Sequence, residues 1–404
     1  MQRLIAPCRT IFQLPGFATL LVCNFLLGLA QSFVSPFYSM FGTLEVGMTP
    51  FMFGVFMTVT SVSAIGLSTV LARWSDTRYS RRTMLLLGGL CGAAAYGAFA
   101  VVRDAVWLTV IGSLVLGIGS ITVPQLFALA REQIARSGLP PADTPLYMNV
   151  FRMFFALAWT VGPAIAAWVM QHYSFRGTFG VAAFFFLSST LVVAFAAPAV
   201  PPGAAHEQAR KMPMRQMFQP PGLLAYFLGF CLFFVCTTMC IMNLPLFVLH
   251  SIGGTATHVG IIYSLAPIFE LPFMIYFGLL AAHCDQAKLI RIGIFIAAVY
   301  YGGLALAQAP WHIYPLQILS AAFVAVTNGI AITFFQSFLP NQAGAATSLY
   351  FNAARIGSTV GYLLFGSLAS TCGYRSVFLV CTVLSATVLV IFHQRRKLHL
   401  PAAA

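Results

Sequence analysis

Residues 178–197 read TFGVAAFFFLSSTLVVAFAA, a run of twenty residues that contains no charged side chain. A helix needs about 20 apolar residues to cross a hydrocarbon core of roughly 30 Å. A transmembrane strand would instead alternate apolar and polar residues over about ten positions, which this run does not do. The stretch therefore predicts a membrane-spanning α-helix.

The composition of the whole chain agrees with this interpretation. Of the 404 residues, 60% are hydrophobic and 7% are charged, whereas a soluble domain carries about 25% charged residues. A soluble domain could not bury so much apolar surface, while a helix in lipid satisfies its own backbone hydrogen bonds. The composition excludes a soluble enzyme and predicts an all-α integral membrane protein.

The apolar runs predict twelve transmembrane helices, at about residues 15–41, 51–72, 83–102, 106–130, 146–171, 177–197, 222–249, 257–281, 288–307, 312–338, 345–370 and 376–393. One long polar connection, rich in Pro and charge, separates the first six from the last six. We therefore expect an N-terminal six-helix bundle, a cytoplasmic linker and a C-terminal six-helix bundle, at residues 1–198, 199–220 and 221–404.

The basic residues predict the orientation of these spans, because Lys and Arg accumulate in cytoplasmic loops. If the N-terminus is cytoplasmic, the outer turns hold only Arg103, Arg176 and Arg375. The inner segments then hold Arg3, Arg9, Arg73, Arg78, Arg81, Arg82, Arg131, Arg136, Arg210, Lys211, Arg215, Lys288, Arg291, Arg395, Arg396 and Lys397. We expect a multi-pass protein of the inner (plasma) membrane with both termini in the cytoplasm.

A motif recurs in the two halves of the chain. Residues 146–152 read LYMNVFR and residues 349–355 read LYFNAAR, so Leu, Tyr, Asn and Arg coincide. Each copy opens the fifth span of its half. Because each half has an even number of spans, the two copies share one orientation. This is a parallel six-plus-six repeat, in which the substrate site lies near the midplane between the halves.

The loop after the second span resembles the signature G-x-x-x-D-R-x-G-R-R of the major facilitator superfamily. Residues 72–82 read ARWSDTRYSRR, with Asp76, Arg81 and Arg82 at the charged positions. The first Gly is replaced by Ala72, the second is missing, and the spacing from Asp to Arg is longer. The resemblance implies a charge latch that holds one conformation of the halves. A solvated loop that only obeys the positive-inside rule is the alternative.

Other stretches resemble a narrower group. Residues 158–167, AWTVGPAIAA, are similar to the exporter-associated pattern G-x-x-x-G-P-x-x-G-G, with Ala replacing three Gly residues. Simple close packing by small residues is the alternative. The strings at 124–132, 152–163, 270–272 and 349–355 look like the sugar efflux transporter family of the same superfamily. The resemblance implies a major facilitator fold and the export of glucosides or lactose-like disaccharides in exchange for protons.

Glu270 is an acidic residue near the middle of a predicted span, between Pro267 and Pro272. A charge at that depth costs about 2.5 kcal/mol or more on insertion scales, and such groups usually face a cavity or a partner. We expect Glu270 to carry the coupled proton or to bind the sugar. A permanently protonated or Arg-paired structural carboxyl is the alternative.

A sugar site needs amide and carboxylate partners together with an aromatic face for the ring. The resemblance implies that the first, fourth, seventh and tenth spans line the cavity. The candidate substrate-binding residues are Gln31, Gln125, Trp159, Asn243, Glu270, Asn328 and Asn24. For Asn24, a packing or lipid-facing role is the alternative.

A second set of residues is expected to gate the cytoplasmic mouth. Arg152 and Arg355 occupy equivalent positions of the repeat, and Glu132 ends the fourth span beside Arg131. We expect Glu132 to pair with Arg152 or Arg131 when the inner side closes. Snorkelling of the Arg side chains to lipid headgroups is the alternative. The complete gating set is Asp76, Arg81, Arg82, Arg131, Glu132, Asn149, Arg152, Asn352 and Arg355.

The sequence holds no phosphate loop of the type G-x-x-x-x-G-K and no nucleophile–base constellation, so neither ATP coupling nor enzymatic activity is expected. The nine cysteines are scattered without metal-ligand spacing, and the basic residues lie in separate loops rather than on one nucleic-acid-binding face. We expect a monomer in lipid, without metal or cofactor, driven by the proton gradient and specific for a small sugar or glycoside. A major facilitator exporter of drugs or another amphiphile is the alternative.

Overall fold

The computed structural model describes residue 14 and residues 16–77, 79–137, 144–196, 218–281, 283–339 and 342–394. Nearly all of these residues are helical, and none of those described lies in a strand. The predicted all-α class is confirmed.

The described residues form twelve long helices whose positions agree with the predicted spans. They are α1 (Phe17–Glu45), α2 (Pro50–Thr77), α3 (Arg81–Val101), α4 (Ala105–Arg136), α5 (144–173), α6 (175–196), α7 (Leu223–Ser251), α8 (Ala256–Ala281), α9 (Gln286–Leu306), α10 (Pro310–Phe338), α11 (Ala343–Cys372) and α12 (Tyr374–Gln394). All of them except α11 belong to ten continuous stretches that are long and apolar enough to cross a membrane, with α5 and α6 counted as one stretch. The 30 residues of α11 include many small and polar side chains.

One residue separates α5 from α6. Ser174 has φ 56° and ψ −170°, backbone angles that are typical of glycine and cost other residues on the order of 1–3 kcal/mol. The Ser174 hydroxyl accepts the N–H of Arg176 at 3.4 Å, and its carbonyl accepts the hydroxyl of Thr178 at 3.2 Å. The spans predicted at 146–171 and 177–197 are therefore joined by a break of one residue.

Turns of different width interrupt α1 and α4. In α1, Ser35–Phe37 is a 3-10 turn that contains Pro36, which has no N–H to donate, and Phe41–Glu45 is a π-turn. In α4, Gly112–Leu116 is a π-turn. Such π-turns inside helices are frequent at functional sites. Each one also changes which of the following side chains share a face of the helix.

The helices extend beyond the apolar runs. α1 continues to Glu45 and α4 to Arg136, whereas the runs predict ends at residues 41 and 130. Hydropathy marks where the chain leaves the hydrocarbon core, but helical hydrogen bonding continues through the interfacial region. The two predicted ends are therefore too early.

The chain divides into two compact units. The first consists of Met1–Val46 and Val59–His206, and the second of Gly47–Thr58 and Glu207–Ala404. The expected linker at 199–220 lies almost wholly outside the described residues. The predicted division into two bundles around that linker stays a prediction.

In each half, the first and fifth helices cross where a glycine lets them approach. A Cβ atom on Gly28 of α1 would lie 2.8 Å from the Cβ of Ala158 on α5. A Cβ atom on Gly361 of α11 would lie 2.9 Å from the Cβ of Thr238 and from the carbonyl oxygen of Val235, both on α7. Ala158 and Gly361 stand at equivalent distances from the start of the repeated motif. The first and fifth helices therefore cross at an equivalent position in both halves. The glycine lies on the first helix in the first half and on the fifth helix in the second half.

Gly357, one turn before Gly361, tests this packing. A Cβ atom there would lie 2.5 Å from the carbonyl oxygen of Cys231 and 2.6 Å from the Cβ of Phe234, and overpacking of this kind costs about 1–3 kcal/mol. We expect Gly357→Ala to lower the melting temperature of the purified protein. Gly278→Ala is the control, because a Cβ atom at Gly278 meets nothing within 4 Å. Equal melting temperatures for the two variants would contradict the close approach of α7 and α11.

Candidate functional site

Three polar side chains join the start of α3 to the later turns of α4. Arg81 is the first residue of α3, where the Ser80 side chain caps the helix by accepting the N–H of Thr83 at 3.1 Å. The Nε of Arg81 forms an ion pair with Oε1 of Glu132, and its Nη1 donates to Oε1 of Gln125 at 3.1 Å. We refer to Arg81, Gln125 and Glu132 as the Arg81 cluster.

The geometry of α4 permits this cluster. Gln125 and Glu132 lie on one face of the helix, about two turns and roughly 10 Å apart along the axis. The guanidinium of Arg81 carries five donors in fixed directions, so it can reach both acceptors. The side chains of Arg81 and Glu132 are 17% and 14% exposed, and water therefore screens this pair less than an ordinary surface pair.

The Arg81 cluster differs from the expected gate in its partners. Glu132 pairs with Arg81 rather than with Arg152 or Arg131, and Gln125, expected to bind substrate, accepts a hydrogen bond from Arg81. Arg131 precedes Glu132 on α4 and Arg152 lies on α5, whereas Arg81 reaches Glu132 from the start of α3. The expected pairing of Glu132 with Arg152 or Arg131 when the inner side closes stays a prediction.

Two members of the predicted gate cannot be placed with their side chains. The side chains of Asp76 and Asn149 lie outside the part of the chain that the structure describes. The expected charge latch that involves Asp76 therefore stays a prediction. Arg82 donates to the carbonyl oxygen of Ala194 near the end of α6. This bond ties the beginning of α3 to α6.

The other four predicted gating residues differ in exposure. Arg131 and Arg355 are exposed, whereas Arg152 and Asn352 are half-buried. Among the described residues, none of these three arginines forms an ion pair with a carboxylate. Their role in gating stays a prediction.

Asn24 and Asn243 hold neighbouring helices together. The Nδ2 of Asn24 on α1 donates to the carbonyl oxygen of Phe151 on α5 at 2.6 Å, and the Nδ2 of Asn243 on α7 donates to that of Tyr374 on α12 at 2.8 Å. Both asparagines are 0% exposed. Neither is exposed in this conformation, and their expected role in substrate binding stays a prediction.

Gln31 on α1 and Trp159 on α5 are half-buried candidates within the first unit. The indole Nε1 of Trp159 is enclosed and has no hydrogen-bond partner among the described residues. Leaving a buried donor unpaired costs about 1–3 kcal/mol, so a hydroxyl-bearing ligand that supplied an acceptor would be favoured there. The adjacent Ala158 accepts the hydroxyl of Ser32 at 3.4 Å, which shows that the exporter-like stretch also packs on α1.

Asn328 on α10 is half-buried and contacts a residue that the sequence did not single out as a site residue. The hydroxyl of Tyr350 on α11 lies 3.0 Å from the Oδ1 of Asn328 and 3.1 Å from the carbonyl oxygen of Thr327. Tyr350 belongs to the repeated motif at 349–355. Its recurrence at the same place in both halves was the signal that could have identified it.

Glu270 is half-buried in α8 between two prolines. Pro267 and Pro272 have no N–H, so the carbonyl groups of Tyr263 and Ile268, four residues earlier, lack their usual helical donors. Glu270 has an interaction with another residue of the protein and is not without a partner. Disturbed backbone of this kind inside a membrane is tolerated where it is buried in protein or lines a water-filled cavity.

Comparisons with known proteins cover nearly the whole chain. The sequence model of the Major Facilitator Superfamily matches residues 20–362. A protein of Deinococcus radiodurans that carries a sugar efflux transporter name is 34% identical over 375 residues, covering 92% of this chain and 96% of that protein. Sugar efflux transporter A of Dickeya chrysanthemi is 31% identical over 388 residues, covering 96% and 98%. The chain belongs to the sugar efflux transporter family of the major facilitator superfamily.

A solved structure supports the fold of this major facilitator protein. The nucleoside transporter NupG, in a variant form, has a TM-score of 0.78 at 13% identity and covers 93% of this chain and 98% of its own. At this identity the likeness concerns the fold alone. The major facilitator architecture expected from the repeat is confirmed.

In this major facilitator protein, the Arg81–Glu132 pair should stabilise the ends of α3 and α4. We expect a coupling free energy of about 1–3 kcal/mol, because both charges are mostly buried and hydrogen-bonded. Unfolding of Arg81→Gln, Glu132→Gln and the double variant would measure it as a double-mutant cycle. The pair Arg103–Glu45, 2.8 Å apart and 23% and 33% exposed, is the matched control, with an expected coupling of about 0.2–1 kcal/mol. Equal couplings for the two pairs would refute the structural role of the Arg81 cluster.

Proposed function

We propose that the protein is a secondary active transporter that exports a sugar or glycoside across the inner membrane by proton antiport. The observation that carries this proposal is similarity over the full chain to two proteins named as sugar efflux transporters, at 34% and 31% identity. The similarity includes both halves of the repeat, and secondary transporters of this architecture bind substrate where the halves meet. Alternating access would then move one solute per cycle.

Glu270 is the proton-carrying group in this mechanism. It lies within a span, beside backbone carbonyls that two prolines deprive of their helical donors. On the outer side, the carboxylate takes up a proton and loses its attraction for sugar hydroxyl groups, so the sugar leaves. On the inner side, the proton leaves, and the carboxylate again accepts hydrogen bonds from a sugar. Charge at this depth is costly, which favours the return of the empty carrier in the protonated form.

The remaining candidate contacts suit a polar solute better than a lipophilic drug. A sugar hydroxyl both donates and accepts hydrogen bonds, so it can accept from the enclosed Nε1 of Trp159 in the first unit. The indole ring offers a flat face for a sugar ring, and the half-buried amide of Gln31 in the same unit offers a further donor and acceptor. In the second unit, Glu270 and the half-buried amide of Asn328 are proposed as polar contacts of the same kind. A lipophilic drug would leave the indole N–H unpaired.

The Arg81 cluster acts at the cytoplasmic end in the orientation that we propose. The distribution of Lys and Arg supports cytoplasmic termini, and it puts the beginning of α3 and the end of α4 on that side. The ion pair between Arg81 and Glu132 would then hold these two helix ends together as the cytoplasmic mouth opens and closes. We further propose that the transporter works as a monomer surrounded by lipid, without metal or cofactor, and that it does not bind nucleic acid.

Replacing Glu270 tests proton coupling. Gln keeps the size and polarity of Glu but cannot ionise, so Glu270→Gln should still exchange radiolabelled lactose or a glucoside in proteoliposome counterflow. The additional transport driven by a pH gradient should fall to the level measured without a gradient. Glu45→Gln is the matched control, because Glu45 is exposed and pairs with Arg103.

The possible results distinguish the proposals. Loss of counterflow itself in Glu270→Gln would assign Glu270 to sugar binding rather than to coupling alone. Gradient-driven transport that persists in Glu270→Gln would exclude Glu270 as the proton carrier. Transport of a lipophilic cation without transport of any sugar would replace the sugar assignment with the drug-exporter alternative.

Replacing Trp159 tests the sugar contact. Trp159→Phe keeps an aromatic face but removes the N–H, and the loss of one hydrogen bond should raise the apparent KM for the sugar by about 2- to 10-fold. Trp168→Phe, on the same helix and at a residue 53% exposed, should leave the KM unchanged. An unchanged KM in Trp159→Phe would remove this residue from the proposed site.

A further inference from the structure

A groove of about 550 Å³ lies between α9 and α12 in the second unit, and none of its lining residues is among those assigned above to the solute or the proton. Its lining combines basic and apolar side chains. Those that matter for its chemistry are Lys288, Arg291, Ile292, Phe295, Val390 and His393.

The basic and apolar side chains occupy different depths of the groove. On α9, Lys288, Arg291 and Phe295 follow the spacing of one helical face. Lys288 is in the first turn of α9, and Phe295 lies roughly 10 Å farther along the axis. On α12, His393 is in the last turn, whereas Val390 comes almost one turn earlier. The groove is therefore cationic at one end and apolar toward the middle of the helices.

Within the part of the chain that the structure describes, the positive charge at this end has no carboxylate in an ion pair with it. Neither Lys288 nor Arg291 forms an ion pair among the described residues, and the Nη1 of Arg291 is enclosed without a hydrogen-bond partner. Asp285, the nearest acidic residue along the chain, caps the helix, and its Oδ1 accepts the N–H of Ala287 at 3.0 Å. An anion at the groove would complement charges for which the described residues supply no ion-pair partner.

The apolar part of the groove is open. Ile292, Phe295 and Val390 are 40%, 59% and 56% exposed. In a protein that spans a membrane, side chains at this depth meet acyl chains rather than water. The occupant that fits both parts must carry a negative headgroup and a hydrocarbon tail.

We propose that this groove binds an anionic phospholipid of the cytoplasmic leaflet. Its phosphate lies between Lys288 and Arg291, and an acyl chain lies along Phe295 and Val390. Basic pockets between transmembrane helices on the cytoplasmic side are a recognised means of binding lipid headgroups. The lipid site does not depend on which solute the transporter carries.

Native mass spectrometry of the detergent-purified protein tests this site. The probes are phosphatidylglycerol and phosphatidylcholine with identical acyl chains. Wild type should bind phosphatidylglycerol at least about tenfold more tightly than phosphatidylcholine, and Lys288→Gln/Arg291→Gln should lose this preference. Arg136→Gln, which neutralises an exposed arginine at the end of α4, is the matched control and should keep it.

Two further variants separate lipid binding from folding and from binding of a free anion. Lys288 is exposed, so Lys288→Gln alone should weaken phosphatidylglycerol binding without changing the melting temperature of the lipid-free protein. Phe295→Ser should also weaken it, because the acyl chain loses its contact. Equal binding of the two lipids by wild type, or an equal loss in Arg136→Gln, would overturn the proposal. So would inorganic phosphate that displaces phosphatidylglycerol at equal concentration, because the site would then recognise a free anion.

Discussion

The hydrocarbon interior of a membrane offers the backbone no hydrogen-bond partner, so a chain that crosses it must pair every N–H and C=O internally. Helices pair their backbone groups in this way. Polar side chains inside the membrane also need hydrogen-bond or ion-pair partners within the protein. Glu45 and Glu132 pair with arginines, while Asp104 and Asp285 accept backbone N–H groups at helix starts. Glu270 is the carboxylate among the described residues that lies well inside a span. This placement is why the proposed proton coupling depends on it.

The same constraint explains how the helices attach to one another. Lipid tails are as apolar as leucine, so helices associate through close packing and hydrogen bonds rather than by hiding apolar surface. Gly28 and Gly361 permit close approach at the two equivalent crossings. Asn24 and Asn243 add bonds from a side-chain amide to a carbonyl of a neighbouring helix. Buried amides therefore serve packing here, which is why amide content alone is a weak guide to a solute site.

Much of the fold could be predicted because span length, charge distribution and the repeat are properties of the chain itself. These three properties predict the twelve helices and the short break between α5 and α6. The candidate site was harder to predict. Whether Gln125 faces a solute or Arg81 depends on the rotation of α4 and on the approach of α3, which local patterns do not contain. The π-turn at Gly112–Leu116 adds to the difficulty, because an extra residue turns the following helix by about 100° relative to a regular one.

The break at Ser174 leaves no loop between α5 and α6. One extended residue covers at most about 3.6 Å, far less than the roughly 30 Å of the hydrocarbon core. During biosynthesis, the connection between α5 and α6 is therefore too short for one helix to cross the bilayer while the other remains folded far away from it. We therefore expect the two to be inserted together as one helical hairpin. The glycine-like conformation of a serine thus defines a unit of membrane insertion.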